Sequence, residues 1–184
     1  QALLNDSVPG GMMGGYIEEG FPFYYINQKM LDYLGYESQE DFVTDIGGMI
    51  SNCIHPHDRN RVDEAVAEQL KHGTEYVVEY RMKKKDGSYI WVHDLGRSTI
   101  AEDGRAAISS VCIDINAQKQ AQEEVMHLYN NIPGAVFRCR YDKELSIIDA
   151  NDGLFEFLGY SREEFADMGN QMSRVIHPND FKML

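Results

Sequence analysis

Tyr76-Val77-Val78-Glu79-Tyr80-Arg81-Met82-Lys83 is the stretch whose reading decides the fold. Tyr76, Val78, Tyr80 and Met82 alternate with Val77, Glu79, Arg81 and Lys83, the period of two expected of a strand with one apolar and one mostly charged face. Asp86-Gly87 follows as a tight turn, because glycine tolerates the positive φ that hairpin turns demand. Tyr89 to Ile100 is rich in aromatic and β-branched residues, and Asp103-Gly104 repeats the turn before Ala107 to Ile115. Three antiparallel strands are predicted here. Upstream, Met12 to Tyr16 and Phe21 to Ile26 read as two more, joined through Glu18-Glu19-Gly20. Between the strand groups lie short helices: Gln28 to Leu34 ended by Gly35, another opening at Ser38, and a longer one after His55-Pro56. The last carries a buried stripe of Val62, Ala65, Val66 and Leu70. The fold class is α+β, a five-stranded antiparallel sheet with helices over one face.

A repeat organises the rest of the chain. Val8-Pro9-Gly10 returns as Ile132-Pro133-Gly134, Asn27 as Asn151, and Leu34-Gly35-Tyr36 as Leu158-Gly159-Tyr160, all at a spacing of 124 residues. Ile54-His55-Pro56-His57-Asp58 returns as Ile176-His177-Pro178-Asn179-Asp180 at 122. The predicted division is therefore the end of an upstream connector helix at 1–7 and a complete domain at 8–115. A connector helix at 116–131 and the front half of a second domain at 132–184 follow. Leu4 matches Leu128 at the same spacing, which suggests that another domain precedes. The sequence lacks an initial methionine and stops inside the second copy, so flanking regions are expected. Phe155, Phe157, Leu158 and Phe165 of that half are expected to need cover from another chain or to be poorly ordered.

The formal charge of -13, from 30 acidic and 17 basic residues, repels phosphate backbones and anionic lipid surfaces. It argues against nucleic acid and against direct membrane contact. Cys53, Cys112 and Cys139 are odd in number and far apart, with no zinc-like spacing, and read as reduced thiols in a cytoplasmic module whose parent protein can still be membrane-anchored. No phosphate loop, nucleophile elbow or HExxH appears, so the chain is read as non-catalytic.

Glu79-Tyr80-Arg81, Lys85-Asp86-Gly87-Ser88-Tyr89-Ile90-Trp91-Val92, Asp94, Gly96-Arg97, the turn at Asp103 and Asp114-Ile115-Asn116 with Lys119 together resemble the C-terminal strands and exit motif of PAS domains. The Leu-Gly-Tyr and His-Pro-x-Asp elements resemble the front of the same family. The resemblance covers residues 8–115 and 132–184. It implies a sensory, dimerising module, commonly bacterial, attached to a histidine kinase, diguanylate cyclase or other output domain outside these residues. It also implies a pocket between the sheet and its helices. Alternation alone puts Tyr80 and Met82 on the core face; Val92, Asp94 and Cys112 join them by resemblance. Trp91 and Leu95 fall on the opposite face, under a connector helix or a partner subunit. Asp114, Ile115 and Asn116, with the helical stripe Ala121, Val125 and Leu128, are the expected signal relay, the stripe offering a homodimer contact.

Asn52-Cys53 invites comparison with the cysteine of flavin photoreceptors, but the neighbours Ile54-His55-Pro56 depart from that motif and favour a structural thiol. Haem ligation by His55 or His177 is disfavoured, since a histidine beside proline at a helix entrance has a local capping role. His55, His57 and Asp58 point in different directions and are not read as a metal site. No cofactor is evident. Asp94 is either a pocket carboxylate for a cationic ligand or an exposed strand residue. The leading reading is a sensor for an unknown small molecule or partner. Its rivals are a ligand-free PAS module for dimerisation and spacing, and a cofactor-bearing light or redox sensor.

Overall fold

The structure, a computed structural model, describes residues 10–181; the expected upstream connector at 1–7, with Leu4, and Val8-Pro9 lie outside the described residues. Strands β1 (Gly11–Tyr16) and β2 (Phe23–Ile26) precede helices α1 (Gln28–Leu34), α2 (Gln39–Asp45) and α3 (Arg59–His72). The longer strands β3 (Glu75–Lys83), β4 (Tyr89–Ile100) and β5 (Ala106–Asp114) follow. They form one antiparallel sheet in the order β2-β1-β5-β4-β3. Helix α4 (Asn116–Asn130) leads to β6 (Phe137–Cys139), β7 (Ile147–Ala150), α5 (Asp152–Leu158), α6 (Arg162–Asp167) and α7 (Pro178–Phe181). The chain divides into two compact units, ending at Lys119 and beginning at Gln120.

The alternation around Tyr76 is realised: Tyr76, Val78, Tyr80 and Met82 are buried. They meet Val62 and Val66 of α3, Met30 and Leu34 of α1, and Phe42 of α2 in one core. The predicted strand at Phe21 begins two residues late, because Phe21 takes a left-handed φ of 51° and turns the chain into Pro22. Gly35 closes α1 at φ 79°, the left-handed cap that glycine adopts without a Cβ penalty.

The 124-residue repeat has a physical core. Asn27 caps α1, its Oδ1 accepting from the Met30 amide at 2.9 Å and from the Met12 amide at 2.8 Å. Asn151 repeats both bonds, from Leu154 at 3.2 Å and Val136 at 2.8 Å. Each asparagine ties the first strand of its copy to the first helix. Ser161 and Glu164 complete a reciprocal capping box on α6, whereas Ser38 supplies only its half on α2.

Two of the four apolar residues expected to need outside cover find it within their own unit. Phe165 is 0% and Phe155 9% exposed, packed with Leu154, Met172 and Ala150, because the capped helices α5 and α6 fold back over β6 and β7. Leu158 is partly covered by the same cluster, while Phe157 is 79% exposed.

Asn27→Ala removes a cap and orphans two amides. It is expected to destabilise the first unit by roughly 2 kcal/mol, read as a lower urea midpoint with unchanged slope.

Candidate functional site: a carboxylate at the centre of the sheet

Tyr76 lies across Gly96, its Cα partner on β4. A Cβ at position 96 would stand 2.1 Å from Tyr76 Cζ, so only glycine admits the ring there. The ring's hydroxyl reaches Ser110 on β5 at 2.7 Å and Asp94 Oδ2 at 3.5 Å. Tyr80, two repeats of the pleat further along β3, donates to the same Oδ2 at 2.9 Å. A phenol has one proton, so Tyr76 bonds Asp94 when Ser110 donates to Tyr76.

Asp94 is 4% exposed, which settles its reading as an interior carboxylate. Its Oδ1 is buried with no hydrogen-bond partner. It lines a cavity of about 40 Å³ between the sheet and α3, with Tyr76, Tyr80, Ser110, Met13, Gly14, Gly15, Phe21, Ile50, Ile54, Val62, Val66 and Ile108. Burial lifts the Asp94 carboxyl to about 6, against the opposing pull of the Tyr80, Ser110 and Tyr76 hydroxyls. Burial likewise pushes Tyr80 and Cys112 well up.

A second constellation lies at the end of β4. The Trp91 amide donates to Asn116 Oδ1 at 3.0 Å, and the Trp91 carbonyl accepts from Ile115 at 3.0 Å. Asp114 accepts the Asn116 amide at 2.8 Å. Asn116 is thus the first residue of α4 and ties back to β4 through its side chain. Lys119 pairs with Glu79 at 2.7 Å and stands 4.9 Å from the Trp91 ring centroid, with Arg81 at 5.4 Å. Arg81 in turn forks onto Asp58 at 2.8 and 2.9 Å, and this guanidinium holds the Asp58 carboxyl at about 2. The His-Pro-x-Asp element therefore anchors the start of α3 to β3. The Nδ1 of His55 accepts the His57 amide, as that of His177 accepts the Asn179 amide.

Residues 23–111 match the family profile described as the PAS fold, and residues 123–183 match the profile described as PAS domain. The chain belongs to the PAS family. The curated relative, an uncharacterized protein of Sinorhizobium fredii, is 31% identical over 74 residues, which cover 40% of this chain and 9% of that protein. This chain spans only a small part of that relative's length. A sensory box histidine kinase/response regulator from Burkholderia thailandensis aligns with a TM-score of 0.52 at 23% identity, over 69% of this chain and 92% of that one. The PAS domain of a Colwellia psychrerythraea protein aligns with 0.51 at 22%, over 63% and 94%. These two likenesses bear on the fold.

Within the first PAS domain, Tyr80 and Asp94 of the predicted pocket residues line the cavity. Met82, Val92 and Cys112 pack in the fully buried core around it. Tyr76 and Ser110 complete the polar cluster and were not among the predicted pocket residues; Tyr76 stands four residues before Tyr80 and Ser110 two before Cys112, each on the same face of its strand. Ser110 gave no signal, being a hydroxyl on a strand of mixed character. Of the relay residues, Ile115 is buried, whereas Ala121, Val125 and Leu128 are exposed on α4. Trp91 meets α4 through Lys119, and Leu95 on the same outer face is exposed. Cys53 is buried and donates to the Ile50 carbonyl at 2.9 Å; burial pushes its thiol up to about 12, which keeps it protonated. Among the described residues no helix is long and apolar enough to cross a membrane.

The raised Asp94 carboxyl sets a pH test. Between about pH 4 and 6 the folded PAS domain binds a proton that the unfolded chain has released, so the Asp94 contribution to stability falls as pH rises through this window. The stability of the wild type minus that of Asp94→Asn is expected to drop by about 2 kcal/mol from pH 4 to pH 7, measured by urea unfolding at each pH. Asp58, already ionised in both states over most of that range, leaves the difference unchanged. A flat difference overturns the assignment.

Proposed function

We propose that the chain is a sensory signal-transduction module. A small ligand enters the cavity beside Asp94, and the change passes along β4 and β5 into α4. An output domain beyond these residues, of the histidine kinase or diguanylate cyclase type, reads it. The observation that carries this reading is the position of one strand in both constellations: β4 presents Asp94 to the cavity and, three residues earlier, Trp91 to the start of α4. A ligand that pulls on Asp94 therefore acts on the segment whose backbone holds Ile115 and Asn116. The mechanism is a population shift between packings of α4 against the sheet, of a size limited by the ligand's differential affinity. The name of the Burkholderia relative is in keeping with such an output.

In this reading the module works as a homodimer in the cytoplasm, with the exposed α4 side chains Val125 (66%) and Leu128 (61%) facing their counterparts in a second copy. Its own chemistry is non-catalytic. The ligand-free reading, in which the PAS domain serves dimerisation and spacing, draws on the small size of the cavity, which has room for about three water-sized groups.

Trp91 is the single tryptophan of the chain, so its fluorescence reports on the α4 junction directly. Ligand found by native mass spectrometry, together with a shift in Trp91 emission and faster or slower amide exchange at Asn116–Lys119, is the expected result. Retained ligand with neither change sinks the relay. Lys119→Ala is expected to speed exchange in the first turn of α4 by about threefold to tenfold, as loss of a pair with a half-buried Glu79 is worth about 1 kcal/mol.

A further inference from the structure

The interior of the first PAS domain holds a carboxyl group with no cation among the residues that line its cavity. Thirteen residues line the cavity; they include one carboxylate, two phenols and a serine hydroxyl, and no lysine, arginine or histidine. Asp94 Oδ2 is supplied by the tyrosines, but Oδ1 has nothing to accept from. A buried carboxylate oxygen without a donor is costly, and buried charges in folded proteins are as a rule paired. The rest of the wall is apolar, the aliphatic side chains of Ile50, Ile54, Val62, Val66 and Ile108 with Met13, the ring of Phe21 and two glycines. One end of the space calls for a positive hydrogen-bond donor and the other for a short hydrocarbon.

We propose that the cavity is a binding site for a small primary ammonium ion carrying a short alkyl chain, with its N–H groups donating to Asp94 Oδ1. This rests on the reading of the cavity as a ligand site and adds the chemistry of what enters it. A primary ammonium presents three donors and no acceptor, which suits a carboxylate oxygen beside phenol oxygens. An anion is repelled by the same group. A neutral alcohol can donate to Oδ1 but leaves the charge uncompensated in an apolar enclosure. About 40 Å³ limits the guest to roughly three or four non-hydrogen atoms, the size of ethylammonium or propylammonium.

The groups facing Asp94 set the pH behaviour. They are Tyr76 and Tyr80 from β3 and Ser110 and Cys112 from β5; His93, next to Asp94 on β4, lies on the outer face with Glu79 and acts on Asp94 only through its charge. The phenols and the thiol stay neutral in the working range, since burial pushes each of them up. Ammonium binding therefore follows ionisation of Asp94 and strengthens from acid to neutral pH.

Propylammonium chloride, propan-1-ol and sodium propionate, three probes of matched size, are titrated into the 184-residue chain. Calorimetry and the side-chain NMR signals of Tyr76 and Tyr80 read binding. Propylammonium is expected to bind at least about tenfold more tightly than propanol at neutral pH, to weaken by about tenfold near pH 5, and to be lost in Asp94→Asn, while propionate does not bind. Equal affinity for the alcohol, retention of ammonium binding by a folded Asp94→Asn variant, or no binding of propylammonium overturns the assignment. Where Asp94→Asn does not fold, the decrease near pH 5 in the wild type decides. Failure of the relay reads differently: propylammonium binds and depends on Asp94, but Trp91 emission and α4 exchange stay still. A neutral molecule that moves Trp91 while propylammonium does not bind keeps the relay and overturns the ammonium.

Discussion

A slip of β4 by one residue against its neighbours would turn Val92 and Asp94 outward and drive Trp91, His93 and Leu95 into the core, because side chains alternate with a period of two. Every functional feature of the first PAS domain depends on that register. It is held by the two turns at Asp86-Gly87 and Asp103-Gly104, by the burial of Ile90, Val92 and Asp94, and by Tyr76 lying over Gly96. The last contact has no equivalent one residue away. Leu95 and Arg97 each carry a Cβ where the ring must lie.

The same register separates two roles along one strand. Inward, Asp94 lines the cavity; outward, the Trp91 ring meets Arg81 and Lys119, the latter on α4. Trp91 receives Arg81 and Lys119 on its ring and gives its backbone to Ile115 and Asn116. Glu79 serves both Lys119 and His93. Sheet and helix are thus joined by hydrogen bonds and charge pairs rather than by apolar burial, a junction that can loosen without unfolding the core.

Two aspartates of this acidic chain are driven in opposite directions by their surroundings. Asp58 accepts two bonds from the Arg81 guanidinium and a third from the Arg81 backbone amide, and stays ionised. Asp94 meets hydroxyls and hydrocarbon, and its ionisation is resisted. The first is a fastening between α3 and β3. The second is an interior carboxyl group with one oxygen left without a donor.

The long strands were legible from alternation and glycine turns, the helix ends from Ser38 and Gly35, and the duplication from the spacing of Asn27 and Asn151. All of these are local patterns, in which backbone geometry is dictated by neighbours in the chain. Tyr80 and Met82 could be put on the core face by the same logic, whereas Asp94 joined them only through the family resemblance. That Phe155 and Phe165 cover each other, that Tyr76 and Ser110 join the cluster, that Arg81 turns to Asp58, and that Oδ1 of Asp94 lacks a donor among the described residues were decided by the tertiary structure. Each depends on groups brought together from distant strands and helices, and on which of them run out of partners once the core has closed.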